Sequence, residues 1–372
     1  MTPSERDWLT VRSYLTGHRY DLAVDAAEDF PPASRVAGTP LLAAPGWRPP
    51  VPVPLQDISL ELSEAAPAEV EVGTPLLPWR ADGTRYRRYS EAMADLAAPL
   101  VFENRATYRL TDADLAQLIP GGRAPRLTFA DGRYFDGIDT GEAAAHEYAA
   151  ARLSQQKPGP RAGGLRERFA DPCDLRRRPA NLAISTLTLR LDRRTGRASF
   201  LLHWRDPAKV GHAGGLYQVV PVGVFQPSGE APWNRRHDFS LWRCMIREFA
   251  EELGGRSEDY ASDSAPVDYE SWPFARQLTG ALDRGQVRVW CLGLGTDPLT
   301  YATDLLTVAV IDSDVFDDLF GLTRQHNAEG TILAAREFAA HVIDRSVTDE
   351  PVQAAGAALL RLAWRHRETL AD

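Results

Sequence analysis

Residues 247–255 read Arg-Glu-Phe-Ala-Glu-Glu-Leu-Gly-Gly, a run of charges that folding alone does not favour. Asp238 or Ser240 can accept a hydrogen bond from a free backbone N–H at the start of a helix, and Gly254 can end one. On that helix Glu248, Glu251 and Glu252 share an arc of about 100°. Met245, Ile246, Phe249 and Leu253 fill the neighbouring arc, which must be the buried one. Glu248 and Glu252 are like charges four residues apart, a destabilising spacing. Glu251 and Glu252 also fall in the last turn, where the helix dipole disfavours negative charge. Arg247 can pair with Glu251, but with the base before the acid, the weaker order. A divalent cation held by the three carboxylates would reverse these penalties. The competing reading is a solvated acidic helix end.

The elements that must position this helix lie upstream. Asn181–Leu191 and Ala198–Arg205 flank Asp192-Arg-Arg-Thr-Gly196 and read as two strands joined by a turn. Downstream, 256–270 is polar and reads as a loop. Gln286–Gly293 and Leu305–Ile311 read as buried strands, Asp314–Phe320 as a short helix, and Ala354–Thr369 as a closing amphipathic helix. His203, beside Trp204 in a strand, reads as a core or edge histidine.

Arg-Glu-hydrophobic-x-Glu-Glu-x-Gly resembles the helical half of the Nudix box. The first half is not in its usual place, since Trp233 and Phe239 stand where Gly and Glu are expected. Gly215–Gly223 is similar to the strand that leads into the Nudix loop. With Gly223 as the first glycine, the loop is about ten residues longer than the family pattern, and Glu230 could supply the early acid. The resemblance covers roughly 178–345 and implies a mixed-sheet α/β/α sandwich. It implies cleavage of a diphosphate linked to another group, usually a nucleoside, by water attack on phosphorus. Oxygen-ligated Mg²⁺ (or Mn²⁺) suits the charge that such a reaction accumulates. Carried over by position, Glu248, Glu251 and Glu252 are the metal ligands, with Glu248 or Glu252 alternatively activating the water. Arg247 would hold a carboxylate of the helix in place, and Gly223 would let the backbone approach the site closely. Arg205 could bind a substrate phosphate, and Glu329, before Gly330, could be a late-loop acid.

The 372 residues carry a formal net charge of −9, with a pI near 5.5, which argues against a nucleic-acid partner bound through its phosphates. Three scattered cysteines give neither a zinc motif nor a disulfide framework, so a reducing cytoplasm is the default. No run approaches 18 apolar residues, so no membrane span is expected. The fold class expected is α+β or α/β. The division expected is a helix and Pro-rich arm over 1–56, a small α+β domain over 57–153, and a linker over 154–177. The Nudix-like domain over 178–345 and a C-terminal helix over 346–372 complete it. Within the small domain, Ile58–Leu62, Val70–Val72 and Ala106–Leu110 read as strands. Asp131-Gly132 signals a hairpin in 127–135, and Thr140 caps a helix over 142–153. Two functions are compatible with these residues: a Mg²⁺-dependent pyrophosphohydrolase of a nucleotide-like substrate, or a non-catalytic relative that senses such a ligand in a regulatory setting. A homodimer is compatible with either.

Overall fold

The computed structural model describes residues 1–64, 72–99, 101–116, 124–154, 163–205, 215–256, 260–321, 330–332 and 335–371. At its centre is a seven-stranded sheet. The strands run Val53–Pro54, Val287–Thr296, Thr303–Asp312, Leu182–Asp192, Arg197–Phe200 and Arg336–Glu337, with Val222–Val224 also paired to Leu182–Asp192. Among the described pairings in this sheet only Thr303–Asp312 with Leu182–Asp192 is parallel. Thr303–Asp312 is buried along all but its last residue, as its apolar text requires of a strand covered on both faces. The helices Leu241–Glu248, Pro273–Asp283, Ser313–Phe320 and Ala354–Arg365 pack on the sheet. The class is therefore mixed α/β, with a mixed sheet flanked by helices. Among the described residues no helix is long and apolar enough to cross a membrane.

Leu182–Asp192 is the strand around which the acidic helix and its partners are placed. Its first half pairs with Val222–Val224 (Ala183 to Val224, Ser185 to Val222), while its second half pairs with Arg197–Phe200 from Leu189 onward. The two partners diverge, and the Val222–Val224 strand is left with an outward edge. A smaller sheet of Ser59–Leu62, Arg126–Arg133 and Ala106–Asp114 docks on this region. Tyr108 and Phe129 from it meet Phe225 at 4.6 and 5.2 Å between ring centroids, and Phe239 at 5.0 and 5.6 Å. The backbone is tied as well, Tyr108 N–H donating to the Phe225 carbonyl at 3.1 Å. The arm joins the main sheet through Val53–Pro54, an edge position that tolerates proline. Leu41, Leu42 and Trp47 of the arm are buried, and one apolar core gathers residues from every expected unit, Leu175 of the linker included.

Several expectations need correction. Asp131-Gly132 is not a turn: both lie inside Arg126–Arg133, paired with Tyr108 and Thr107. A Cβ on Gly132 would lie 2.8 Å from the Arg109 Cβ, so the glycine serves close strand approach. Thr140 does not cap a helix. The helix starts earlier, at Tyr134, and Thr140 Oγ1 donates back to the Asp136 carbonyl at 2.7 Å inside a π segment, Ile138–Glu142. The expected strand Ala198–Arg205 is two strands. The apolar pair Leu201-Leu202 breaks the alternation, and His203–Arg205 leaves the main sheet to pair with Tyr217–Gln218 and Gly330–Ile332. Val70 and Glu71 of the expected strand Val70–Val72 lie outside the described residues, as does part of the linker, and Val72 is not in a strand.

Phe225 is fully buried between the two sheets, so Phe225→Ala should cost about 3–5 kcal/mol, read as a lower urea midpoint. Asp304 yields a pH prediction. Its Oδ1 accepts the Ser185 hydroxyl at 2.7 Å, while Oδ2 has no partner among the described residues. Burial pushes this carboxyl up to about 7, against the pull of the Ser185 hydrogen bond, and Asp297 adds to the rise. A carboxyl raised in the folded state stabilises the fold fully at acid pH, and that contribution is lost as pH climbs toward 7. Asp304→Asn imitates the protonated acid. Urea midpoints at about pH 5 and about pH 8 should therefore differ less in the variant than in the parent chain.

Candidate functional site

The helix that carries the acidic cluster begins at Ser240, whose Oγ accepts the Arg243 N–H at 3.3 Å. Asp238, the other expected cap, is fully buried and has a different task. Its Oδ2 accepts the Ser228 N–H at 2.8 Å and the Ser228 hydroxyl at 2.6 Å, and its Oδ1 accepts the Tyr269 hydroxyl at 2.9 Å. Arg247 joins this group. Its Nη2 donates to the Gln226 carbonyl at 2.6 Å and its Nη1 to the Tyr269 hydroxyl at 2.5 Å, with Asp238 Oδ1 at 3.4 Å. Burial alone would lower the guanidinium pKa, but Cys244, Tyr269 and Asp238 outweigh it and the pKa is raised, so the group stays charged. The expected pairing of Arg247 with a carboxylate of its own helix is thus replaced by an anchor to the preceding loop. Asp238 and Tyr269 offer it buried partners, and Glu251 is engaged by Tyr260.

After Glu248 the helix widens into a π segment, Phe249–Leu253, closed by the Gly254 N–H donating to the Phe249 carbonyl at 3.0 Å. Such single π turns are frequent at functional sites. Here the widening divides the three carboxylates that a regular helix would align. Glu251 accepts the Tyr260 hydroxyl at 2.6 Å. Glu248 and Glu252 instead lie against Val222–Val224. Glu252 Oε1 accepts the Val222 N–H at 2.9 Å, and Oε2 stands 3.5 Å from His203 Nδ1. The Glu248 carboxylate occupies the space beside Gly223, where a Cβ would lie 1.8 Å from its Cδ. The close backbone approach expected at Gly223 is therefore present, although Gly223 lies in a strand rather than a loop.

The other expected residues are distributed unevenly. Arg205 ends the strand that carries His203, and its Nη1 donates to Gln218 Oε1 at 3.1 Å. Glu329 lies outside the described residues, and its neighbour Gly330 pairs with Arg205. Glu230 is drawn to the small sheet, accepting the Ala106 N–H at 2.7 Å and Arg133 Nη1 at 2.8 Å. Burial works to raise its pKa, and those two partners prevail and lower it. Among the described residues no three His, Cys, Asp or Glu side chains gather as a metal site. The donor chemistry of Glu248 and Glu252 nonetheless suits a hard cation, which takes one or two carboxylates alongside substrate oxygens and water. Sequence reasoning did not find Tyr260, which lies in the stretch read as loop, and assigned His203 only to packing.

Gly223→Ala offers a direct test of the cradle. The clash is with the end of a flexible side chain, so the urea midpoint should change little, while the Glu248 carboxylate must move. Mn²⁺ affinity should fall by about 10-fold or more, read by electron paramagnetic resonance of the free ion. An unchanged affinity would separate Gly223 from any cation site. No protein-family model matches this chain, and no curated protein matches it either.

Proposed function

We propose that this chain is a Mg²⁺- or Mn²⁺-dependent hydrolase that cleaves the diphosphate of a nucleotide-like molecule, with Glu248 and Glu252 as its central carboxylates. One observation carries the reading: Glu248, on the helix, fills the space left by the missing side chain of Gly223. The Arg-Glu-x-x-Glu-Glu motif alone is compatible with a solvated helix end. The same motif with two of its carboxylates turned onto one strand, one of them on a glycine, is an arrangement suited to binding. A cation held there would neutralise charge on the phosphate oxygens.

The chain's own residues divide the remaining work. Glu252 is the fixed group, oriented by the Val222 N–H and buried at 7% exposure. Glu248 is the more accessible of the two and is better placed to meet water. Arg247 holds the helix to the loop before it. Arg205, at the end of the strand that carries His203, would supply a cation for phosphate. A second reading, binding without cleavage, draws on the hydrogen bonds that already engage Glu251 and Glu252 within the protein.

A panel of nucleoside diphosphate derivatives with Mg²⁺ or Mn²⁺, followed by phosphate release, separates the two. Turnover is expected, and Glu252→Gln should lower it by about 100-fold or more. Thermal stabilisation by a ligand without turnover would favour the sensor. Hydrolysis and Mn²⁺ binding that both survive Glu252→Gln would place the chemistry elsewhere.

A further inference from the structure

His203 has no role in the motif that suggested the activity, and its surroundings do not fit a packing residue. It is buried at 1% exposure in the strand His203–Arg205. Its Nε2 has no hydrogen-bond partner among the described residues. Its Nδ1 lies 3.5 Å from Glu252 Oε2, longer than an ordinary N–H···O hydrogen bond. Burying an imidazole with so little satisfaction is costly, and buried polar side chains nearly always find partners. Glu252 has the complementary problem. It is a buried carboxylate with one oxygen on the Val222 N–H and the other facing this ring.

We infer that His203 is the positioning residue for Glu252, its Nδ1–H fixing Oε2 while the Val222 N–H fixes Oε1. An ionised carboxylate only accepts hydrogen bonds, so the contact requires a proton on Nδ1, and in the neutral ring this leaves Nε2 as a bare acceptor. Held from both sides, the carboxylate keeps one orientation toward the strand edge, as the outer partners of metal-binding groups commonly ensure. The assignment rests on the hydrolase reading for its purpose, and on the His203–Glu252 geometry for its existence.

The two are tested apart, on the full-length chain. Nitrogen-15 NMR of the wild-type histidines at about pH 8, where an ordinary imidazole is neutral, reports the tautomer. Glu252→Gln identifies the His203 signals as those that move most. A neutral ring with its proton on Nδ1 is expected, and one with its proton on Nε2 overturns the inference whether or not the protein is an enzyme. Mn²⁺ affinity is then compared in His203→Asn and His203→Gln. The Asn amide can reach the place of Nδ1, whereas the Gln amide reaches that of Nε2. Asn should retain most of the affinity and Gln should lose about 10- to 100-fold. Equal affinity in Gln and wild type would sink the positioning role, because a merely structural histidine would not separate the two amides. If the wild-type chain neither binds Mn²⁺ nor cleaves any diphosphate, the hydrolase reading fails, and the tautomer still decides the His203–Glu252 pair.

Discussion

The buried guanidinium of Arg247 is the constraint on which the site depends. A charge at 3% exposure is tolerable only when its donors are occupied, and here they reach three separate parts of the chain. Gln226 follows the Val222–Val224 strand, Asp238 precedes the acidic helix, and Tyr269 lies beyond it. One side chain therefore fixes the distance between strand and helix and the path of the loop joining them. Asp238 makes the loop's side of this arrangement rigid through Ser228. With that frame set, Glu248 falls on Gly223 and Glu252 on the Val222 N–H.

The awkward charges of the helix are accommodated in a way that their spacing alone did not indicate. A shared cation was expected to relieve all three carboxylates together. The π turn separates them, giving Glu251 a phenol and Glu252 a backbone donor and an imidazole. Each partner costs less than leaving a buried charge bare, and the remaining accommodation falls to the edge where Glu248 and Glu252 meet the strand.

Much of the frame was legible in the text of the chain. The apolar runs of Leu182–Asp192, Val287–Thr296 and Thr303–Asp312 have the pattern of strands covered on both faces. Gly223 entered as a close-approach position only through the resemblance of its surroundings to the Nudix loop, not through a local pattern. The failures were of two kinds. Asp131-Gly132 and Thr140 carried local signals that tertiary pairing overrode, since the neighbouring strand and an earlier helix start offered more hydrogen bonds. The π turn and the roles of His203, Tyr260 and Asp238 depend on contacts between segments distant in sequence, and no local pattern encodes them. Glu230 shows the same limit, since its partners Ala106 and Arg133 lie more than ninety residues away.

Among the described residues the main sheet finishes on each side in a two-residue strand, and these margins bear on how molecules of this kind meet. On one margin Pro54 has no amide hydrogen to offer a newcomer. On the other, Arg336 is clasped by Glu350 through paired hydrogen bonds at 2.7 and 2.9 Å. Short, charged or proline-bearing borders discourage strand-by-strand accretion. At these two margins, a second molecule would therefore meet side-chain surfaces rather than extend the backbone ladder.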